Sequence, residues 1–163
     1  MFSLEIQTLA RLLVDEARGR SLRIVTAESC TGGLVAGAIC AVPGASDVFD
    51  RGFVSYSNRA KQEILGVPGD MIADFGAVSE PVARMMAEGA LENSNAHLSV
   101  AITGVAGPGG GTPMKPVGTV HIATARANQG LRHQAELFEF ETREEIQLAA
   151  VQAALQALRD RVR

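Results

Sequence analysis

The sequence has few aromatic residues and few cysteines, and both features exclude particular classes of binding site. Aromatic side chains make up 4% of its 163 residues and tryptophan is absent, so the stacking platforms that bind single-stranded nucleic acid are nearly missing. The two cysteines, Cys30 and Cys40, form no paired CxxC motif. No HExxH motif, EF-hand loop or Cys/His cluster is present either. We therefore expect no disulfide framework, no catalytic metal and no cofactor.

Long apolar runs and an excess of positive charge are also missing. No apolar segment approaches the length needed to cross a bilayer, and residues 1–20 have the pattern of an amphipathic helix instead of a signal peptide. The net charge is −3 at pH 7, whereas duplex DNA-binding domains usually present a basic face. We expect a cytoplasmic protein that binds neither nucleic acid nor membranes, although one local cation would suffice for a small anionic ligand.

Hydrophobic residues make up 47% of the chain, which is enough for the core of one domain over residues 1–163. Leucines at helical spacing predict a first helix that ends near Gly19. After it the predicted order is strand, helix, strand, two helices, three strands and a final helix. The strands are predicted at 22–27, 47–57, 97–103, 117–125 and 133–140. This order predicts an α/β fold, a three-layer α/β/α sandwich around a mostly parallel, mixed sheet of about five strands.

Local signals refine the boundaries of these elements. The NQG stretch at 128–130 predicts a hairpin, so the last two strands are expected to be antiparallel. Asn58 is the expected N-cap of a short helix that stops at Gly66, and residues 68–78 are expected to form a loop. Thr142 and Glu145 have the spacing of a capping box that begins the last helix, residues 143–160.

Three polar, glycine-rich segments follow predicted strand ends, at 28–33, 56–61 and 103–115. In open α/β sheets, ligands bind beyond the carboxyl ends of the strands, and these ends meet at one edge when the strands are parallel. We therefore expect the three segments to form one site.

The first segment, within TAESCTGG (26–33), places Ser29 between a strand and a helix. Unpaired N–H groups at such a turn and the helix dipole stabilise a developing negative charge, and Gly32 and Gly33 leave room for a substrate. Ser29 is therefore a candidate nucleophile. Two other interpretations stay open: Ser29 or Thr31 caps the helix, or Cys30 is the nucleophile, with a pKa lowered by the helix N-terminus.

A serine nucleophile needs a base. The three histidines lie in or at predicted strands, outside the three segments: His97, His121 and His133. The only two lysines, Lys61 and Lys115, lie within or beside the predicted site. Lys61 falls in the first turn of its helix, where the helix dipole opposes a cation and lowers its pKa. Lys61 is therefore the candidate base, acting on Ser29 directly or through Tyr56.

The third segment contains TGVAGPGGGTP (103–113), which matches neither a Walker motif nor GxGxxG. Its glycines indicate that the backbone turns tightly or approaches another group closely. Arg143, at the start of the last helix, is a candidate ligand for an anion together with that helix N-terminus.

Four blocks of the sequence resemble one known family. The blocks are AESCTGG (27–33), YSNRAKQEILGV (56–67), GAVSEPVARMMAEGA (76–90) and AITGVAGPGGGTPMKPVGTVHIA (101–123). They occur in the same order in the CinA C-terminal domain family, the nicotinamide-nucleotide amidases, and the resemblance extends from about residue 4 to residue 160.

The resemblance implies an amidohydrolase that converts nicotinamide mononucleotide and water to nicotinate mononucleotide and ammonia, without a metal. It also implies a homo-oligomer. Position by position, Ser29 matches the family's nucleophile, Lys61 its general base and Tyr56 the tyrosine beside it. With the glycine turn after Ser29, the predicted substrate-binding residues are Thr31, Gly32, Gly33, Thr103, Gly104, Gly107, Gly109, Gly110 and Arg143.

The chain departs from the family pattern in two places. Glu141 stands where the family often has glycine, which affects the backbone before Arg143. Many relatives also carry an N-terminal domain that resembles molybdopterin-binding proteins, whereas this sequence begins with the first helix of the amidase region. We expect activities of that domain, such as nucleotide pyrophosphate cleavage, to be absent.

Two alternative functions stay open on the sequence. The first is an amidase for a different amide, because the residues specify the acyl chemistry better than the ring that carries it. The second is a catalytically silent nucleotide-binding or regulatory module of the competence/damage-inducible type.

Overall fold

The computed structural model describes residues 1–163 and contains six α-helices, five strands and one 3₁₀ helix, Ala45–Asp47. The helices α1 to α6 are Leu4–Gly19, Leu34–Cys40, Asn58–Leu65, Gly69–Phe75, Glu80–Glu92 and Arg143–Val162. The strands β1 to β5 are Ile24–Glu28, Phe49–Val54, Leu98–Gly104, Thr119–Arg126 and Gly130–Leu137. No helix is both long enough and apolar enough to cross a membrane.

The five strands form one mixed sheet in the order β2-β1-β3-β4-β5, which confirms the predicted α/β fold class. Strand β1 is parallel to β2 and β3, whereas β4 is antiparallel to both β3 and β5. The antiparallel part is larger than expected because no helix separates β3 from β4. A parallel pair needs a crossover connection, and the glycine-rich segment instead returns the chain directly. The predicted hairpin between β4 and β5 is confirmed.

Helices cover both faces of the sheet. A cluster of 27 buried apolar residues joins α1, α2 and α6 to one face, and a cluster of 13 joins α5 and its neighbours to the other face. Each fully buried leucine or isoleucine in these clusters contributes roughly 1.5–3 kcal/mol of hydrophobic stabilisation. The three parallel strands are therefore held between two packed layers, and their carboxyl ends open at one edge.

The helix boundaries agree with the sequence analysis except in two places. Helix α4, Gly69–Phe75, lies within the segment predicted to be a loop. Proline is tolerated at the start of a helix because the first N–H groups have no intrahelical partner, and Pro68 is the N-cap here. The N-cap of α3 is Ser57, whose hydroxyl accepts from the N–H of Ala60, and not Asn58.

Both other predicted helix signals are confirmed. Gly66 ends α3 in the left-handed conformation, with φ 70°. Thr142 and Glu145 form the capping box that begins α6.

Two histidines and Glu80 are in polar contact on the α5 side of the sheet. His121 Nδ1 lies 2.9 Å from His133 Nε2, and His133 Nδ1 lies 3.3 Å from a carboxylate oxygen of Glu80. Burial is the main cause that lowers the pKa of both imidazoles. The charges of His133 and Lys115 lower the pKa of His121 further, and Arg84 has the same effect on His133. Glu80 opposes both shifts.

We expect this pair to make stability depend on pH. Both folded-state pKa values lie below the unfolded value of about 6.5, so the unfolded chain takes up protons that the folded chain resists. The neutral pair should leave the free energy of unfolding undiminished above about pH 6.5, and this free energy should fall as pH drops below that value. Urea unfolding of the wild type and of the double variant His121→Asn/His133→Gln checks this. An equal pH dependence in both proteins would contradict the assignment.

Candidate active site

The three predicted segments meet at one open cavity of about 280 Å³ beyond the carboxyl ends of β1, β2 and β3. Its lining includes ten residues that the sequence analysis singled out: Ser29, Cys30, Tyr56, Lys61, Thr103, Gly104, Gly107, Gly109, Gly110 and Arg143. It also includes Asn58, which the analysis named only as a helix cap, and four residues that the analysis did not name as site residues: Ala77, Val78, Val105 and Ala106. The convergence of the three segments is therefore confirmed, and no aspartate or glutamate lines the cavity.

The parallel strands anchor the backbone that carries Ser29. The N–H of Ser29 donates to the carbonyl of Ile102, and the N–H of Ser55 donates to the carbonyl of Glu28, both at 2.9 Å. The sheet ladder thus continues past the end of β1 on both sides. This fixes the position of the Ser29 backbone relative to both neighbouring strands.

Lys61 and Ser29 are in direct contact inside this framework. Lys61 Nζ lies 2.9 Å from Ser29 Oγ, and its other two contacts are the main-chain carbonyls of Ser55, at 3.1 Å, and Tyr56, at 2.9 Å. The lysine is 1% exposed and the serine 8% exposed. No carboxylate forms a salt bridge with this ammonium group, so desolvation lowers the pKa of Lys61.

These three contacts fit Lys61 in either protonation state, since an ammonium can donate to all three oxygens and a neutral amine to two of them. A neutral lysine has two N–H bonds and one lone pair, and the two carbonyls of Ser55 and Tyr56 can only accept hydrogen bonds. If these carbonyls accept hydrogen bonds from the two N–H groups, the lone pair of the amine faces Ser29. The Ser29 hydroxyl then donates to Lys61. The alternative acceptor for that hydroxyl, the Tyr56 carbonyl, is farther away at 3.4 Å. The arrangement therefore matches a serine hydroxyl with its base.

Helix α3 delivers Lys61 to this point. Lys61 and Leu65 are the two buried residues of the helix, and their spacing of four puts both on the face that packs against the protein. The Ser57 cap starts the helix just after β2. Lys61 therefore lies in the first turn, as predicted.

Tyr56 contributes to the site in a different way from the one predicted. Its phenol oxygen accepts from Arg143 Nη2 at 2.9 Å and makes no hydrogen bond with Ser29 or Lys61. The residue is 59% exposed. A proton relay from Ser29 through the phenol is therefore not supported, and the contribution of Tyr56 to Lys61 is its main-chain carbonyl.

Arg143 ties the rim of the cavity together. Its Nη1 donates to the carbonyl of Gly107 at 2.7 Å, while its Nη2 contacts Tyr56. The departure at Glu141 does not disturb this position, because the N–H of Glu141 donates to the Glu145 carboxylate within the capping box. Lys115, the other predicted cation, instead donates to the carbonyl of Phe75 and does not line the cavity.

The surroundings of Cys30 make it a poor nucleophile. The residue is 4% exposed, and burial is the main cause that raises the pKa of its thiol to about 12, with a further contribution from the charge of Glu28. A thiol reacts as the thiolate. The geometry therefore favours Ser29 over Cys30.

Glu28 is the residue of this region that sequence reasoning missed. Its side chain is buried, and its carboxylate accepts from the Thr31 hydroxyl at 2.6 Å and from the N–H groups of Val35 at 2.9 Å and Ala36 at 3.0 Å. The N-cap of α2 is Gly33, which has no side chain to cap the helix. The sequence signal that could have identified this cap is an acidic residue, Glu28, a few positions before a glycine that cannot cap the helix with a side chain.

This arrangement contradicts the interpretation that Ser29 or Thr31 caps α2, and it leaves residues 31–33 only main-chain groups with which to bind a substrate. Neither Ser29 nor Thr31 caps α2, because Glu28 does. Thr31 is fully buried against Glu28 and does not line the cavity. Gly32 and Gly33 also lie outside the lining, and their φ angles of 54° and 100° show that they serve the turn itself.

The glycine-rich segment supplies main-chain donors instead of side chains. The Thr103 hydroxyl, which is buried, donates to the carbonyl of Ala77 at 2.9 Å and so holds the cavity wall. Beyond it, no protein oxygen accepts from the N–H groups at positions 106, 107, 109 and 110. Consecutive free N–H groups form anion-binding concavities. With Arg143 beside them, this side of the cavity favours a negatively charged group.

A comparison with protein families gives one match across almost the whole chain. Residues 6–162 match the family model described as the CinA C-terminal domain. The chain belongs to the CinA C-terminal domain family. Among solved structures, the competence/damage inducible protein CihA from Agrobacterium tumefaciens has a TM-score of 0.96 and 47% identity, covering 98% of this chain and 97% of that one. A CinA superfamily protein from Escherichia coli has a TM-score of 0.89 and 38% identity, covering 94% and 88%.

Curated relatives of this CinA domain are longer proteins. A CinA-like protein from Akkermansia muciniphila is 57% identical over 118 residues, which are 72% of this chain and 28% of the relative. A putative competence-damage inducible protein from Caldicellulosiruptor saccharolyticus is 46% identical over 162 residues, which are 98% of this chain and 38% of the relative. The chain thus spans well under half the length of these relatives.

Proposed function

We propose that this CinA domain is a serine amidohydrolase that converts nicotinamide mononucleotide and water to nicotinate mononucleotide and ammonia. The observation that carries the proposal is the contact of 2.9 Å between Lys61 Nζ and Ser29 Oγ, made by a buried lysine that has no carboxylate partner. A neutral lysine in that position is a general base for the serine.

The reaction proceeds in two halves. Ser29 Oγ forms a bond with the carboxamide carbon while its proton passes to Lys61. The tetrahedral intermediate then collapses, the carbon–nitrogen bond breaks, and Lys61 returns the proton to the leaving nitrogen, which departs as ammonia. Lys61 next takes a proton from water, whose oxygen attacks the ester carbon. Release of Ser29 with that proton gives the carboxylic acid, which loses its own proton to solvent and leaves as the carboxylate product.

Main-chain N–H groups of the 28–33 turn are the proposed donors to the oxyanion. The N–H of Gly32 already donates to the carbonyl of Ser29, so it is not available. The N–H groups of Cys30, Thr31 and Gly33 donate to no protein oxygen. Each donor placed on the oxyanion typically contributes about 3 kcal/mol to stabilising the transition state.

The phosphate of the substrate is proposed to lie against the free N–H groups of residues 106, 107, 109 and 110 and against Arg143. The absence of any acidic residue in the cavity lining favours this placement. To bind the phosphate, Arg143 can exchange its hydrogen bonds to Gly107 and Tyr56 for a charge-assisted pair.

Ammonia release from a small panel of amides tests the proposal. We expect release from nicotinamide mononucleotide, little from free nicotinamide or NAD, and no change when EDTA is added. Release from a different amide only would overturn the substrate assignment. Tight nucleotide binding without ammonia release would favour the silent binding module, and activity lost in EDTA and restored by a metal would overturn the metal-free mechanism.

The glycine-rich segment gives a separate prediction about substrate approach. A Cβ added at Gly109 meets no atom within 4 Å, and its φ is ordinary, so Gly109→Ala should leave the free energy of unfolding unchanged. If the substrate approaches this backbone closely, the added methyl group should raise KM. Steady-state kinetics and thermal melts check both expectations, with Gly19→Ala as the control because that glycine is equally unhindered but lies in α1. An unchanged KM would place the substrate elsewhere.

The family resemblance also supports a homo-oligomer, which we include in the proposal. Size-exclusion chromatography with light scattering tests it directly, and a monomer at working concentrations would contradict it.

A further inference from the structure

The N–H groups around Ser29 fall into two sets, those that donate to Glu28 and those that have no oxygen acceptor. Val35 and Ala36, at the second and third positions of α2, donate to the Glu28 carboxylate. Cys30, Thr31 and Gly33, which precede the helix, donate to no protein oxygen. The Glu28 carboxylate therefore already occupies the N-terminus of α2. Only the turn before the helix has main-chain N–H groups without an oxygen acceptor.

The same carboxylate also closes the turn from the other side. The Thr31 hydroxyl donates to Glu28 at 2.6 Å, so the side chains of residues 28 and 31 are joined across Ser29 and Cys30. Both joined side chains are 1% exposed or less. Water therefore does not compete for these bonds, and a buried carboxylate left without them would be strongly disfavoured.

We propose that Glu28 is the positioning residue of this active site: by binding Thr31, Val35 and Ala36 it fixes the turn so that Ser29 and the free N–H groups beside it are presented together. The inference rests on the proposed function. Glu28 does not line the cavity and acts through the turn, whereas Lys61 acts on Ser29 directly.

Glu28→Gln tests the proposal with little change of shape. The amide presents one oxygen and one NH₂ group, and the NH₂ cannot accept from an N–H or hydroxyl donor. Both oxygens of Glu28 accept hydrogen bonds. In either orientation, the NH₂ group of the glutamine would therefore face an N–H or hydroxyl donor that has no acceptor. We expect kcat to fall at least tenfold, while KM and the pH midpoint of kcat/KM stay at their wild-type values because the substrate-binding segment and Lys61 are untouched.

Ser99→Ala is the control for a general loss of stability. It removes another buried hydroxyl, which lies on β3 outside the cavity and donates to the carbonyl of Ala87 in α5 at 2.7 Å. We expect it to lower the melting temperature without lowering kcat. Thr31→Val removes one of the three contacts of Glu28 and should reduce kcat in the same direction but by less, which keeps the test available if Glu28→Gln fails to fold.

Labelling of Ser29 by a fluorophosphonate gives a second readout that does not depend on the amide substrate. We expect labelling to slow at least tenfold in Glu28→Gln and to be unchanged in Ser99→Ala. Wild-type kcat and labelling in Glu28→Gln, or an equal loss of kcat in Ser99→Ala, would overturn the role of Glu28 alone. A wild-type protein that neither labels nor releases ammonia would overturn the proposed function and this inference together.

Discussion

Lys61→Met is expected to lower kcat by about 10²- to 10⁴-fold, the range that a positioned general base contributes. Methionine retains an unbranched side chain in the buried space, but it has no lone pair on nitrogen to take the proton of Ser29. The loss should appear in ammonia release from nicotinamide mononucleotide, with folding checked by circular dichroism. Arg59→Met is the matched control, because Arg59 lies on the same helix, is exposed and pairs only with Glu63.

The pH profile distinguishes a base from a lysine that merely fills space. Activity requires neutral Lys61, and burial lowers the pKa of this lysine, so kcat/KM should rise with pH through the lowered pKa and then level off. Lys61→Arg should be inactive at every pH tested, since a guanidinium stays protonated in proteins. A Lys61→Met variant with wild-type kcat, or a wild-type profile that falls over the same range, would contradict the assignment.

Ser29→Ala is expected to lower kcat by at least about 10³-fold, because a catalytic unit that loses its nucleophile keeps only the contribution of binding and the oxyanion donors. Cys30→Ala should keep most of the activity, since it retains the main-chain N–H and removes only a buried thiol that is not ionised. Nucleotide binding by both variants is measured by titration calorimetry to separate binding from chemistry.

The reverse pattern would identify a different nucleophile. High activity in Ser29→Ala together with its loss in Cys30→Ala would assign the attack to Cys30. Activity in both variants would indicate direct attack by an activated water molecule.

The parts of the site that follow strand ends were predictable from the sequence. Ser29 and Tyr56 follow the ends of β1 and β2, Thr103 is the next-to-last residue of β3, and parallel pairing brings such positions to one edge. The position of Lys61 followed from helical spacing after that edge. Only the three-dimensional structure, however, showed that Lys61 has two carbonyl acceptors and no carboxylate partner.

The parts that escaped prediction depend on contacts that local patterns do not encode. Glu28 caps a helix that begins several residues later, and the usual rules look for the cap next to the helix. Tyr56 points its phenol to Arg143, which is distant in sequence. Helix α4 was missed because Pro68 and the glycines around it indicate a turn, whereas burial of Ile72 stabilises a short helix there.

Burial of Lys61 links stability to the proposed chemistry. An unpaired ammonium in the interior is destabilising, and a lysine responds by losing its proton. The carbonyls of Ser55 and Tyr56 stabilise the amine in either state, since both accept its N–H bonds. The desolvation that disfavours the charge is thus the property that gives Ser29 a base.

The most direct test of the central claim is to capture the acyl-enzyme. The wild type is mixed with nicotinamide mononucleotide, quenched in acid during turnover, digested and examined by tandem mass spectrometry. We predict an ester of nicotinate mononucleotide on Ser29, present also in Cys30→Ala and absent from Ser29→Ala. An adduct on Cys30, or steady ammonia release by Ser29→Ala at the wild-type rate, would contradict the account.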